Sequence, residues 1–408
     1  MLRLVRALFL LWLASGVTAQ AKNLLFYGNS YSFFSFGYGV PELVRRLAID
    51  AGNPAPVIVQ ALVGGSQLQY HATNATQVAY ITNALPAGQS WDHVVIQGNS
   101  LEATPYFGFN PTTFRSAAVA IVGNVRSHSP NARAVLYQTW ARAWGHGYYP
   151  TPFATPLQMH QTVRGNYDLA VADIVAAHGA NTAVKAAVGD AVALLEWDPV
   201  WYDPDLSHPR PTLTLLAAMC IFSSIYGQRV CDLVPDFAPT SPLSQMLTPH
   251  GIGLATWNHL AGLADQCAAP AQRRFPGSGD HLLLESATGT DPWTADPVKP
   301  ITAGTLTGAR MRSMNHVYDG AIGWLLIDLF PTTAPPGPQP LWPEVRVDLG
   351  RSLISPGLTL GSPLVLSYQL PFTWPGLSLL AQGIAWQPSS ISGNPLFTAT
   401  DAHELRFF

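Results

Sequence analysis

The chain has 408 residues, 48% hydrophobic and only 11% charged, with 21 basic residues against 24 acidic ones and a formal net charge of −3. Soluble domains carry about 25% charged residues, and disordered chains pair low hydrophobicity with high charge, so disorder of the whole chain is excluded. No basic run extends beyond Arg273-Arg274, which leaves no footprint for a nucleic acid or another polyanion.

Arg3 and Arg6 open the chain, an apolar run follows from Ala7 to Ser15, and Val17-Thr18-Ala19 sets small residues at the −3 and −1 positions of a cleavage site. This is the order of a secretory signal, expected over residues 1–19. The run falls short of the roughly 20 apolar residues that span a bilayer, and no later stretch reaches that length without charges, Pro or Gly. The mature chain, from about Gln20, is expected to be secreted or periplasmic, with no transmembrane segment.

Short apolar runs at 23–27, 94–97 and 134–140, bounded by turn residues, predict fully buried parallel strands. Helical patterns lie between and after them, at 40–51, 112–126 and 159–178. Residues 211–226 predict a further helix, with Pro211 at its start and Gly227 just past its end. Strand and helix alternate, which predicts an α/β domain over residues 20–268. Ala-Pro-Ala-Gln-Arg-Arg-Phe-Pro-Gly-Ser-Gly at 269–279 reads as a linker, placed at 269–280. Beyond it, short runs at 281–285, 322–330, 345–349, 363–370 and 377–386, separated by Gly and Pro, predict a smaller all-β, sandwich-like domain over 281–408.

The chain has three cysteines. Cys220 reads as a small buried hydrophobe, whereas Cys231 and Cys267 flank a loop-rich segment and are expected to form a disulfide if the protein is exported. Their spacing has no metal-ligand logic, and neither cofactor nor metal is implied. Asn74-Ala75-Thr76 fits an N-glycosylation acceptor, a motif frequent by chance.

Four blocks carry the chemistry. Gly28-Asn29-Ser30 follows the first strand, where open α/β sheets bind ligands. In Val63-Gly64-Gly65-Ser66 the glycine N–H groups can donate to an anion. Gln97-Gly98-Asn99-Ser100 offers a carboxamide to a developing oxyanion. In Asp205-Leu206-Ser207-His208 the three-residue spacing lets a carboxylate reach the imidazole and fix its tautomer. Each block alone is an ordinary turn. Jointly they supply nucleophile, base, orienting acid and oxyanion donors.

This order of blocks, over roughly residues 22–265, resembles the SGNH hydrolases, also called GDSL esterases and lipases. Gly28-Asn29-Ser30 stands where that family usually has Gly-Asp-Ser, a departure shared by a branch of exported SGNH-like proteins. Trp91-Asp92-His93-Val94-Val95-Ile96-Gln97, Thr139-Trp140-Ala141, Val188-Gly189-Asp190-Ala191 and His208-Pro209 look like that branch too. The C-terminal part, ending in Thr400-Asp401-Ala402-His403-Glu404, looks like a β-rich tail seen on exported proteins of some environmental bacteria. The resemblance implies a three-layer, flavodoxin-like parallel sheet. It implies Ser30 as nucleophile, His208 as general base and then acid, and Asp205 as the residue orienting His208. The oxyanion hole would use the N–H groups of Ser30 and Gly65 and the Asn99 side chain. The family's third block reads Gly-x-Asn, whereas here Asn99 follows Gly98 directly, so Gln97 is an alternative donor.

The expected function is an exported serine esterase acting on a small ester or an acylated carbohydrate. A lipase or thioesterase of the same fold is an alternative. So is a non-catalytic glycan-binding or surface-adhesion protein with a decayed site, contacting a glycan or cell surface through the C-terminal domain. His71, six residues past the glycine pair, is expected to pack or make a local hydrogen bond. Asp203 is a rival to Asp205. Trp140, Trp144 and Tyr148 are expected in the core or in a substrate wall. Asp401 and His403 have no evident serine partner and are assigned no catalysis.

Overall fold

The computed structural model describes residues 20–33, 38–269, 273–371 and 374–407, so the expected leader at 1–19 lies outside the described residues. The first strand, β1 (Asn23–Gly28), is buried along its whole length, as its unbroken apolar run requires. A one-turn helix α1 (Ser30–Phe33) follows at once, then α2 (Val40–Asp50), β2 (Val57–Leu62), α3 (Leu68–Thr73), α4 (Ala75–Asn83) and β3 (His93–Ile96). Next come α5 (Pro111–His128), β4 (Arg133–Tyr137), α6 (Pro156–His178), β5 (Ala183–Ala186), α7 (Val188–Ala193), α8 (Pro211–Tyr226), α9 (Pro242–Leu247) and α10 (Leu254–Gln266).

The five strands pair in parallel in the order β2-β1-β3-β4-β5. This is the flavodoxin-like order, and its direction reverses between β1 and β3, the crevice where such sheets place ligands. Helix α2 packs against α8, and α5 packs against α3 and α6, which covers the sheet and completes a three-layer α/β domain. Helix α8 has buried residues on every side, and Gly227 closes it in the left-handed conformation (φ 66°). Strands β2 and β5 lack a sequence signature. Gln60 breaks the apolar run of β2, which is largely half-buried at the sheet edge, and Lys185 interrupts β5.

The C-terminal region is all β, as expected. Strands β6 (Leu282–Thr288), β8 (Leu306–Ser313) and β12 (Leu364–Gln369) form one antiparallel sheet. Strands β7 (Val298–Ile301), β9 (Ile322–Pro331), β10 (Leu353–Ile354), β11 (Leu358–Thr359), β13 (Leu377–Ala385), β14 (Thr398–Ala399) and β15 (His403–Phe407) form a second, with β15 and β7 parallel. Leu282, Leu284 and Met311 of the first meet Leu325, Ile327, Ala381 and Ala385 of the second in one core, which is a sandwich. Residues 345–349 form no strand. Val345 and Val347 are nevertheless buried, and the Arg346 N–H donates to the Gln382 side chain instead of to a ladder.

The two domains share a seam. Leu283, Ala295 and Met314 of the β domain join the core of the α/β domain. A Cβ on Gly262 of α10 would lie 2.3 Å from the Ala295 carbonyl, so the two backbones touch. The segment read as a linker is stitched down at its C-terminal side. The Ser278 N–H donates to the Ala399 carbonyl at 2.9 Å, and Arg273 pairs with Asp401 at 2.7 Å. All three cysteines are free, so the expected Cys231–Cys267 bridge is absent. The Asp265 carboxylate ties that segment instead, accepting the N–H groups of Val230 (2.8 Å) and Cys231 (3.0 Å). Among the described residues no helix is long and apolar enough to cross a membrane.

Candidate active site

The loops after β1, β2 and β3 meet at the sheet's reversal point. The Ser66 N–H donates to the Val63 carbonyl at 3.1 Å, closing a turn, and Gly65 sits in it with φ 68°, a conformation L side chains rarely adopt. Asn29 is buried between these loops. Its amide N–H donates to the Ser66 carbonyl (3.1 Å), while its oxygen accepts from the Tyr31 N–H (3.2 Å) and the Gln97 amide (2.8 Å). A carboxylate at position 29 would have no hydrogen to give Ser66, which is a physical reason for Asn in the Gly-Asn-Ser block.

The Ser30 hydroxyl lies 2.9 Å from His208 Nε2, although 178 positions separate the two in the chain. His208 Nδ1 lies 2.5 Å from Asp205 Oδ2, whose partner oxygen accepts the N–H groups of Ser207 (3.0 Å) and His208 (2.9 Å). An ionised carboxylate only accepts, so Nδ1 carries the proton and Nε2 is left to accept from the serine. Burial alone would raise the Asp205 pKa, but the His208 hydrogen bond and the two backbone donors outweigh it and hold the group below its ordinary value. Asp203 is not the carboxylate bonded to Nδ1, although its charge is felt by His208. Its N–H bonds to the His208 carbonyl at 2.9 Å, so it shapes the loop.

The oxyanion candidates divide sharply. Among the described residues no acceptor is bonded to the N–H groups of Ser30 or Gly65. The Asn99 side chain is half-buried: its oxygen accepts the Leu101 N–H at 3.1 Å, and its NH₂ group makes one long contact, 3.4 Å to the Gly65 carbonyl, which places the two side by side. Gln97 is buried and spends both amide hydrogens internally, on Asn29 Oδ1 and on the Gly98 carbonyl at 2.6 Å. Its oxygen accepts from the Asn29 N–H (3.0 Å) and the Ser32 hydroxyl (2.9 Å). Gln97 therefore has no hydrogen left for a substrate.

Two residues the sequence did not single out complete the site. Glu102 is buried behind Asn99, accepting the Asn99 N–H on one oxygen (2.9 Å) and the Leu68 N–H on the other (2.8 Å). Burial pushes its pKa up to about 7 against these donors. Arg142 is also buried. Its guanidinium donates to the Tyr31 hydroxyl and, at 2.8 Å, to the Ser100 hydroxyl. The Tyr31 hydroxyl reaches Ser207 Oγ at 2.8 Å, and its ring meets that of His208 edge-on at 5.2 Å. One cation thus ties together the immediate neighbours of Ser30, Asn99 and His208.

The remaining candidates resolve as follows. His71 is buried and bonds Ser66 Oγ at 2.8 Å and Gln77 at 3.0 Å, behind the glycine turn. Trp140 is core, stacked on Tyr31 at 4.7 Å. Trp144 is 47% exposed, and Tyr148 packs against exposed Phe107 at 4.5 Å. The Val188-Gly189-Asp190 block is structural: Asp190 contacts Lys185 (3.2 Å) and Arg164 (3.5 Å). Asn74 caps α4 through its side chain. His403 does have a serine partner, contrary to expectation, with Ser286 Oγ at 2.9 Å. Both are buried, however, and Asp401 is committed to Arg273. Among the described residues no group of three His, Cys, Asp or Glu side chains is placed to hold a metal ion.

No family model and no curated protein matches the chain. Among solved structures it is similar to a DUF4886 family protein from Bacteroides uniformis, with 15% identity over 61% of this chain and 95% of that one and a TM-score of 0.45. It is also similar to Axe2, an acetylxylan esterase from Geobacillus stearothermophilus (14% identity, 51% and 96% covered, TM-score 0.38). A third is a carbohydrate esterase family 3 protein from Talaromyces cellulolyticus (13%, 50% and 97%, 0.37). Values this low describe a general course of the backbone; the chemistry has to be argued from the side chains.

Proposed function

We propose that the chain is an exported serine ester hydrolase of the SGNH kind, acting through an acyl-enzyme on acylated carbohydrate. The observation that carries this reading is the relay Ser30–His208–Asp205, at 2.9 and 2.5 Å, beside the Ser30 and Gly65 N–H groups, which bond no acceptor among the described residues. Nε2 of His208 takes the Ser30 proton as Oγ attacks the ester carbonyl, and Asp205 stabilises the imidazolium that forms. The tetrahedral oxyanion faces the N–H groups of Ser30 and Gly65 and the Asn99 amide. His208 returns the proton to the leaving alcohol, then activates the water that hydrolyses the acyl-serine. A serine-directed phosphonate is expected to label wild type at Ser30. Ser30→Ala is expected to lose labelling and roughly 10⁶-fold of its turnover of short acyl esters. Equal hydrolysis by the variant would overturn the reading.

A further inference from the structure

The two domains leave a groove of 570 Å³ between them, lined by Trp144, Thr155, Leu157 and the Glu196–Pro199 segment of the α/β domain and by Asn315 and His316 of the β domain. Its volume falls within the range of ligand sites, about 300–1,000 Å³. It opens beside the histidine loop. The Ala143 N–H donates to the carbonyl of Leu206, which lies between Asp205 and His208, at 3.0 Å. The next residue, Trp144, donates its N–H to the Trp197 carbonyl at 3.1 Å.

Backbone strain is concentrated here. Among the described residues seven non-glycines have left-handed φ. Four of them, Glu196, Trp197, Asn315 and His316, line this groove. Leu206 lies in the histidine loop, and Phe107 packs on Tyr148, leaving only Asn181 elsewhere. Such conformations are unfavourable for Glu196 and Trp197, less so for Asn315 and His316, and persist where surrounding contacts impose them, as at ligand sites. The contacts are present. The Glu196 carboxylate accepts from Arg312 (2.8 Å) and from the Asn315 N–H (3.1 Å), and the Asn315 amide donates to the Ala193 carbonyl (2.9 Å).

The lining selects a ligand class. The half-exposed indole of Trp144 offers a flat apolar face of the kind that covers the C–H face of a sugar ring. Leu157 and Pro199 extend the apolar wall, and facing it stand carboxylates, an amide and the largely exposed His316 ring, whose Nδ1 is held by Asp319 at 2.8 Å. These groups match hydroxyls. A fatty acyl chain would take the carboxylates of Glu196 and Asp198 out of water with no hydroxyl of its own to offer them, and a polyanion would meet their charge. We propose that this groove binds the neutral glycan chain of an acylated polysaccharide, with Trp144 as the stacking platform and the β domain supplying part of the wall. Only the role of the acyl end rests on the hydrolase reading above.

Full-length Ser30→Ala protein, which cannot consume its substrate, is titrated with acetylated xylan and with the same xylan deacetylated, by calorimetry and affinity electrophoresis. Saturable binding of both forms is expected. Trp144→Ala in that background is expected to weaken it at least tenfold, Trp144→Phe to retain most of it and His316→Ala to weaken it severalfold, with melting temperatures unchanged. Equal binding by folded Trp144→Ala, or no binding of any neutral polysaccharide in a panel, overturns the proposal. So does Trp144-dependent binding of peptides or fatty-acyl micelles in place of glycan. The two readings fail separately: ester hydrolysis by wild type without glycan binding sinks only the groove, and Trp144-dependent glycan binding without hydrolysis sinks only the esterase.

Discussion

Gln97 holds Asn29 and the Gly98 carbonyl with its two amide hydrogens, whereas the amide hydrogens of half-buried Asn99 make one weak internal contact. On the proposed reading, substitution of the first attacks the scaffold and substitution of the second attacks the transition state. Asn99→Ala is expected to lower turnover roughly 10²–10³-fold with little change in melting temperature. Gln97→Ala is expected to cost about 1–3 kcal/mol of stability through the buried partners it strands. Thermal melts and turnover on a short ester separate the two, and the reverse pattern would reassign the donor. Glu102 gives a pH signature. Its folded pKa of about 7 stands above the unfolded value of 4.5, so the folded state binds more protons between these values. Its contribution to stability is complete below pH 4.5 and is lost, by about 3 kcal/mol, as pH rises through 7. Its grip on the Asn99 and Leu68 N–H groups moves the other way, because only the carboxylate accepts on both oxygens. Between pH 5 and 8, melting temperature is expected to fall while turnover rises. Glu102→Gln should flatten the melting trend and depress turnover, because its amide hydrogens face a backbone N–H. A melting profile identical to wild type would refute this assignment.

At the level of elements, β1 and β3 end side by side and feed their following turns into one crevice, and this much was legible in the sequence. Unbroken apolar runs mark buried strands, and the Ser30, Gly65, Asn99 and Asp205–His208 blocks all sit in the turns and loops of one α/β pattern. The pairing partners of those turns were not legible. Arg142 reaches residues 111 and 42 positions away, to which no local spacing points. Strands β2 and β5 were invisible for a related reason, since their polar residues matter only once the neighbouring strand is in place. The Cys231–Cys267 expectation failed because an acidic side chain can tie down backbone N–H groups as a bridge would. Arg142→Met is expected to lower turnover roughly 10–100-fold by letting three loops drift relative to one another. Arg142→Lys, which lacks the planar fork, should recover only part of it. Phosphonate labelling rates at Ser30, alongside turnover, provide the check, and full activity of the Met variant would remove Arg142 from the site.

For the molecule as a whole, the boundary read from composition near residue 270 is a change of architecture more than a separation of bodies. Leu283, Ala295 and Met314 complete a core that begins before the boundary. Each large apolar side chain withdrawn from that core costs about 1.5–3 kcal/mol. A chain ending at residue 269 is therefore expected to melt roughly 10 °C or more below the full-length protein, or to aggregate through the uncovered face. Matching melting curves for the two would show that the first domain stands alone.

The Gly262–Ala295 contact has a consequence for how recognition can change. Main chain rests on main chain at the seam, so any side chain at position 262 would push the two halves apart and reshape the slot between them. On the proposed reading, Asn315 and His316 share with Trp144 the setting of its preferences. Substitution of His316 alone, which leaves Met314 in the core, would change the slot's lining without touching Ser30, Asp205 or His208.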